Sequence, residues 1–185
     1  MAKTESNMLP LGTPAPDFKL PDTVGGRTLR FADIAGEKAT LVMFICNHCP
    51  FVKHVLDELV RLGQDYGGQP IGMVAISSND VTGYPQDRPD RMKELAEQRN
   101  FAFPYLFDES QNTARAYDAA CTPDFYIFDA NGKLAYRGQL DDSRPGNGVP
   151  VTGSDVRAAL DALISGDPVS GQQKPSIGCN IKWRS

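Results

Sequence analysis

The sequence predicts an α/β domain, a mixed central sheet with helices on both faces. Three observations carry that expectation. Two apolar runs, ATLVMFIC at 39–46 and IGMVAIS at 71–77, read as strands buried on both faces. Between them Val52, Val55, Leu56, Leu59, Val60 and Leu62 recur at helical spacing, which makes a β-α-β unit with a right-handed crossover. Further on, Asp124–Phe128 and Leu134–Gln139 flank the turn Asp129–Lys133, a hairpin that adds antiparallel strands to the parallel pair.

Taken in order, Pro14–Asp22 is held extended by its prolines. Gly25-Gly26 signals an N-terminal β-hairpin, with Thr28–Phe31 returning as a short strand. Ala39–Cys46 is the central strand. Pro50–Tyr66 is the first long helix, ended by Gly67-Gly68. After Ile71–Ser77, the polar loop Asn79–Pro89 leads to a charged helix near Asp90–Asn100. Its alternating charges mark a solvated face. Pro104–Phe107 is a short strand and Gln111–Ala120 a helix. Asp141–Thr152 is a loop rich in Gly and Pro, and Ser154 caps a last helix that runs to about Ser165. Residues 1–166 thus form one domain. Residues 167–185 read as a C-terminal extension that packs on it, polar except for SIGCNIKW at 176–183.

Composition bounds the function. With 41% apolar and 23% charged residues, the chain is ordinary for a globular protein that builds its own core. A net charge of −4 gives no electrostatic reason to expect nucleic acid or an anionic membrane as partner. The start, MAKTESNMLPLG, lacks the apolar core of a signal peptide, so a cytoplasmic setting is expected. Cysteines there are mostly kept reduced. Paired ones are then more often catalytic, redox-sensing or metal-binding than structural.

Two of the four cysteines are paired, in Cys46-Asn47-His48-Cys49. Cys46 falls where the central strand ends and a helix begins. Reactive groups in open α/β sheets gather at such carboxyl ends. Free N–H groups and the helix dipole favour a thiolate there, so Cys46 is expected to have a lowered pKa. Cys49 is close enough to close a small ring with it. Cys46 is then the attacking thiol and Cys49 the resolving one. Pro50 is tolerated because first-turn N–H groups lack helical partners. A zinc site needs four ligands, and the chain has no second C-x-x-C and no H-x-x-x-H. No metal and no organic cofactor is expected.

A strand running into C-x-x-C at a helix start, with Thr122-Pro123 far downstream before DFYIFD, resembles the thioredoxin superfamily. The resemblance implies a thioredoxin-like fold and a cis Thr122–Pro123 bond facing the dithiol. APDF, the early hairpin and the YRG after the last strand resemble the AhpC/TSA-type redoxins and the membrane-tethered reductases. CNHCPFVKH, TPDFYIFD, GQLDD and SIGCNIKW together resemble a bacterial group labelled thiol–disulfide isomerase or peroxiredoxin-like. The implied activity is thiol–disulfide exchange with protein or small-molecule disulfides, served by a recycling thiol reductant. Pro123 would shape the surface that receives substrate. His48, placed as in the oxidising isomerases, would stabilise the thiolate and make the couple less reducing than thioredoxin's.

Two departures from the family pattern matter. Thioredoxins carry a buried carboxylate on the strand under the dithiol, and here no Asp or Glu occurs between Glu37 and Asp57. Proton transfer must use another group or water. Peroxiredoxins have P-x-x-x-T/S-x-x-C. Alignment on Cys49 puts Val42 and Cys46 at the Pro and Thr/Ser positions, and the peroxide-polarising arginine has no counterpart near Thr122-Pro123. A thiol peroxidase acting on peroxides is therefore the alternative, followed by a non-catalytic redox sensor or a carrier of a soft metal such as Cu(I). Cys121 reads first as a small buried hydrophobe. Cys179 reads as a packing residue or a third thiol docked near the site. His54 reads as a helix-surface residue, and Arg144 with Asp141 and Asp142 as a solvated loop.

Overall fold

The computed structural model describes residues 3–185. β1 (Lys3–Glu5), β2 (Lys19–Pro21) and β3 (Thr28–Arg30) lead to a single helical turn, α1 (Phe31–Ile34). β4 (Ala39–Phe44), α2 (Pro50–Tyr66) and β5 (Ile71–Ser77) form the β-α-β unit. A 3₁₀ turn at Pro85–Asp87 precedes α3 (Pro89–Gln98), β6 (Tyr105–Phe107) and α4 (Asn112–Ala116). β7 (Cys121–Thr122), β8 (Asp124–Asp129), β9 (Leu134–Gly138), α5 (Ser154–Ser165) and β10 (Ile177–Asn180) complete the chain.

The main sheet has the order β6-β5-β4-β8-β9, with β4 parallel to β5 and antiparallel to β8. It is the mixed sheet that the sequence predicts. β4 is buried along its whole length, as its unbroken apolar run requires. Its side chains alternate between two cores. Leu41 and Met43, with Ile45 just past the strand's end, join Leu59 and Val52 of α2, Met92 of α3 and Leu160 of α5 on one face. Val42 and Phe44 join Ala114 of α4, Tyr117, and Leu20 and Leu29 of the β2–β3 hairpin on the other. Helices thus cover both faces.

Local chemistry moves several boundaries. The helix expected over Gln111–Ala120 is confined to Asn112–Ala116, between positive-φ residues Gln111 and Asp118. The buried Asp108 carboxylate accepts the N–H groups of Thr113 and Ala114 and fixes its start. Ser154 is not the cap of α5. Gly153 is, at φ 69°, because Asp141 accepts the Thr152 and Gly153 N–H groups and turns the chain there. Phe31 does not extend β3 but opens α1, packing edge-on to Phe128.

The tail residues form a second sheet. β10 runs antiparallel between β1 and β7, in the order β1-β10-β7, and pairs Cys179 with Thr122. The approach is close at Gly178, where a Cβ would stand 1.9 Å from the Thr122 carbonyl oxygen. Ser176 Oγ donates to the Pro123 carbonyl at 2.5 Å. Among the described residues, no helix is long and apolar enough to cross a membrane. Gly178→Ala is expected to force β10 off β7 and cost about 1–3 kcal/mol as an overpacked contact. Urea unfolding checks this, and an unchanged midpoint would contradict the pairing.

Candidate active site

The buried run of β4 carries the chain to Cys46, and α2 starts four residues later. Cys49 is its N-cap, with Pro50 at the first helical position. Cys46 and Cys49 are 1% and 0% exposed. The Thr122–Pro123 bond, which is cis, sits against both sulfurs. Cys46 Sγ lies 3.5 Å from Thr122 Oγ1, and Cys49 Sγ lies 3.4 Å from the Thr122 carbonyl oxygen.

The pKa values of the two cysteines are pushed apart. Cys49 is drawn down to about 5. The largest cause is a hydrogen bond from Cys46. The Cys179 thiol, the Val52 N–H and the Thr122 hydroxyl add to it, and burial opposes them. Cys46 is pushed well up, first by that same hydrogen bond, then by burial and the Asp87 charge. The lowered pKa expected at Cys46 is thus found at Cys49. Cys46 lies three residues before the N-cap, whereas Cys49 occupies it, beside the Val52 N–H.

The carboxylate missing from the strand arrives from the polar loop. Asp87 is fully buried. Its Oδ1 accepts the N–H groups of Asn47 at 2.8 Å and His48 at 3.2 Å. Its Oδ2 lies 2.5 Å from His48 Nδ1 and accepts Asn79 Nδ2 at 2.9 Å. One carboxylate therefore shapes the turn between the two cysteines and orients its histidine. The His48 ring stacks on Tyr84 at 5.1 Å, and its Nε2 is buried without a partner. Asn47 donates to the Gln86 carbonyl and accepts from the Tyr105 hydroxyl. Cys46, His48 and Asp87 each place a donor atom within 4.8 Å of the others. These three could hold a soft cation; equally, they form a thiol beside an oriented base.

The remaining expected residues separate clearly. Cys179 Sγ lies 2.6 Å from Cys49 Sγ. Cys121 is fully buried, with Sγ 3.9 Å from the Pro123 carbonyl oxygen, and burial raises its pKa strongly. His54 is not a free surface residue, because its Nε2 meets Ser143 Oγ at 2.7 Å and ties α2 to the 141–152 loop. Arg144 is folded into that loop, bonded to the Asp141 and Ser143 carbonyls and to Gln139. It lines a crevice beside Pro123 and Phe51. Sequence reasoning missed Asp87, and nothing local distinguishes it from Asp80 or Asp90.

Two results are expected. Ultraviolet titration of the reduced protein should show one thiolate forming near pH 5. Cys49→Ser should abolish it and Cys46→Ala should move it upward; a transition surviving Cys49→Ser would refute the assignment. Asp87→Ala strands two loop N–H groups and a buried imidazole, so urea unfolding should show a loss of roughly 3 kcal/mol or more.

This architecture has counterparts among known proteins. The structure superimposes on a crystal structure of a conserved protein from Geobacillus kaustophilus with a TM-score of 0.98, at 60% identity over 100% of this chain and 97% of that one. A thiol:disulfide interchange protein of the thioredoxin family from Chlorobium tepidum TLS shares the fold alone, with a TM-score of 0.64 at 17% identity over 83% of this chain and 97% of that one. Thiol-disulfide oxidoreductase ResA of Geobacillus thermodenitrificans is 27% identical over 131 residues, 71% of this chain and 70% of its own. The AhpC/TSA family profile matches residues 11–137, a span holding Cys46, Cys49, Asp87 and Pro123, and the chain, with its thioredoxin-like fold, belongs to the AhpC/TSA family.

Proposed function

We propose that the protein is a thiol–disulfide oxidoreductase working through Cys46 and Cys49. The observation that carries this reading is the placement of two buried sulfurs at the start of α2, both against the cis Thr122–Pro123 bond. Its likeness to the oxidoreductase ResA supports it. Cys46 passes its proton to Cys49 and attacks a substrate disulfide, and one substrate sulfur leaves as thiolate. The proton on Cys49 then passes to the departed substrate thiolate. Cys49 thiolate attacks the Cys46 sulfur, the second substrate thiolate departs, and the Cys46–Cys49 disulfide remains. A recycling thiol reductant reverses the sequence. Both sulfurs are covered, so substrate enters only on local opening of the turn. The setting is a reducing, cytoplasmic one, in which the dithiol starts reduced.

A second reading has a specific observation behind it. The stabilised thiolate at the N-cap is Cys49, the position that aligns with a peroxidatic cysteine, and the family is AhpC/TSA. Arg144 is remote in sequence yet lines the crevice beside Pro123. Its two terminal guanidinium nitrogens are occupied by loop acceptors, which weakens it as a peroxide-polarising donor, while its Nε is buried without a partner.

Insulin reduction by dithiothreitol distinguishes the two. The protein should accelerate it, and Cys46→Ser should cut that rate more than about 100-fold, as loss of a nucleophile does. Cys49→Ser should leave Cys46 locked in mixed disulfides with its substrates. No acceleration and no trapped adducts, together with peroxide consumption that survives Cys46→Ser, would replace this reading with the peroxidase.

A further inference from the structure

The dithiol reaction makes no use of Cys179, yet the fold delivers its sulfur to within 2.6 Å of Cys49 Sγ. We infer that Cys179 is a third redox thiol that attacks the Cys49 sulfur of the Cys46–Cys49 bridge and takes over the disulfide. This rests on the dithiol reading above. The bond between Cys46 and Cys49 breaks as the bond between Cys179 and Cys49 forms. Cys46 leaves as a thiolate and takes up the proton that Cys179 gives up. One disulfide replaces another, so the step needs no outside oxidant or reductant.

The placement is built into the backbone. β10 sets Cys179 directly opposite Thr122, the residue that touches both dithiol sulfurs. Gly178 permits the close approach, and β1 holds the far edge of β10 through Lys3, which pairs with Cys179. From 2.6 Å, the two sulfurs need a shift of only about 0.5 Å to reach bonding distance. Cys49 is the shared centre, because both Cys46 and Cys179 are its neighbours. Two alternative bridges are thus open to it.

The electrostatics change with redox state in the required direction. In the reduced protein Cys179 is pushed up to about 12, first by burial and then by its hydrogen bond to Cys49 and that thiolate's charge. Once Cys49 is bridged to Cys46, its charge is gone. The Phe51 N–H and the Lys182 ammonium, which both favour a Cys179 thiolate, then act without that opposition. Cys121 supplies the contrast, since it lies as deep but has the Pro123 carbonyl as its neighbour rather than another sulfur. The transfer would return Cys46 to its free thiol and tie the C-terminal strand covalently to the start of α2.

Peptide mapping tests this on the full chain. Reduced protein receives one equivalent of diamide, is quenched in acid, and is digested with pepsin for mass spectrometry. The expected result is two bridged species, Cys46–Cys49 and Cys49–Cys179. Cys46→Ser should give Cys49–Cys179 alone, with Cys121 still free. Wild-type protein carrying Cys46–Cys49 only, with no Cys49–Cys179 bridge even after prolonged incubation, would overturn the relay and leave the dithiol reading intact. Absence of any Cys46–Cys49 bridge would remove the dithiol reading and the relay with it.

Discussion

The site is organised by the stabilisation of one sulfur, that of Cys49. Its neighbours are two thiols, the Val52 N–H, and the hydroxyl and carbonyl oxygen of Thr122, and it is the N-cap of a helix of 17 residues. Distant parts of the chain supply these partners. β4 delivers Cys46, α2 supplies the free N–H groups, β7 carries Thr122, and β10 brings Cys179 back from the C-terminus. The fully buried β4 and its two cores fix the first two of these elements. The register of the small β1-β10-β7 sheet fixes the others.

The distribution of charge over the two cysteines follows from magnitudes. A helix N-terminus is worth about 0.3–1 kcal/mol to an anion, up to about 2 when partly buried. The Asp87 carboxylate lies within 4.8 Å of Cys46 Sγ. At an effective dielectric of about 20, a second negative charge on Cys46 would cost about 3 kcal/mol against it. The dipole cannot offset that at Cys46, three residues before the N-cap. At Cys49 it acts together with direct donors. Asp87 thus holds the turn by accepting the N–H groups of Asn47 and His48, and its charge adds to the Cys49 hydrogen bond and to burial in raising the Cys46 pKa. Its contact with His48 orients the imidazole beside Cys46.

Much of the architecture was legible because it rests on local signals. The apolar run at 39–46, the helical spacing after Pro50 and the turn at Asp129–Lys133 each name their own structure. The dithiol and Thr122-Pro123 were equally visible as motifs. What stayed hidden depends on distant pairing. Asp87 acquires its role only because a 3₁₀ turn folds it under residues 47 and 48. Strands β1, β7 and β10 are two to four residues long, too short to show a period, and exist because they hydrogen-bond to each other. The helix at 112–116 was overestimated because Asp108 and two positive-φ residues decide its length, and neither effect is a matter of propensity.

Stabilising Cys49 as a thiolate stabilises the reduced protein, and that raises the reduction potential of the Cys46–Cys49 couple. Equilibration of the protein with glutathione buffers of known potential, read by the fraction of bridged Cys46–Cys49 peptide, measures this directly. The expected potential is less reducing than thioredoxin's, above about −270 mV. A value at or below that would show that the donors around Cys49 do not hold the thiolate, and would contradict the account.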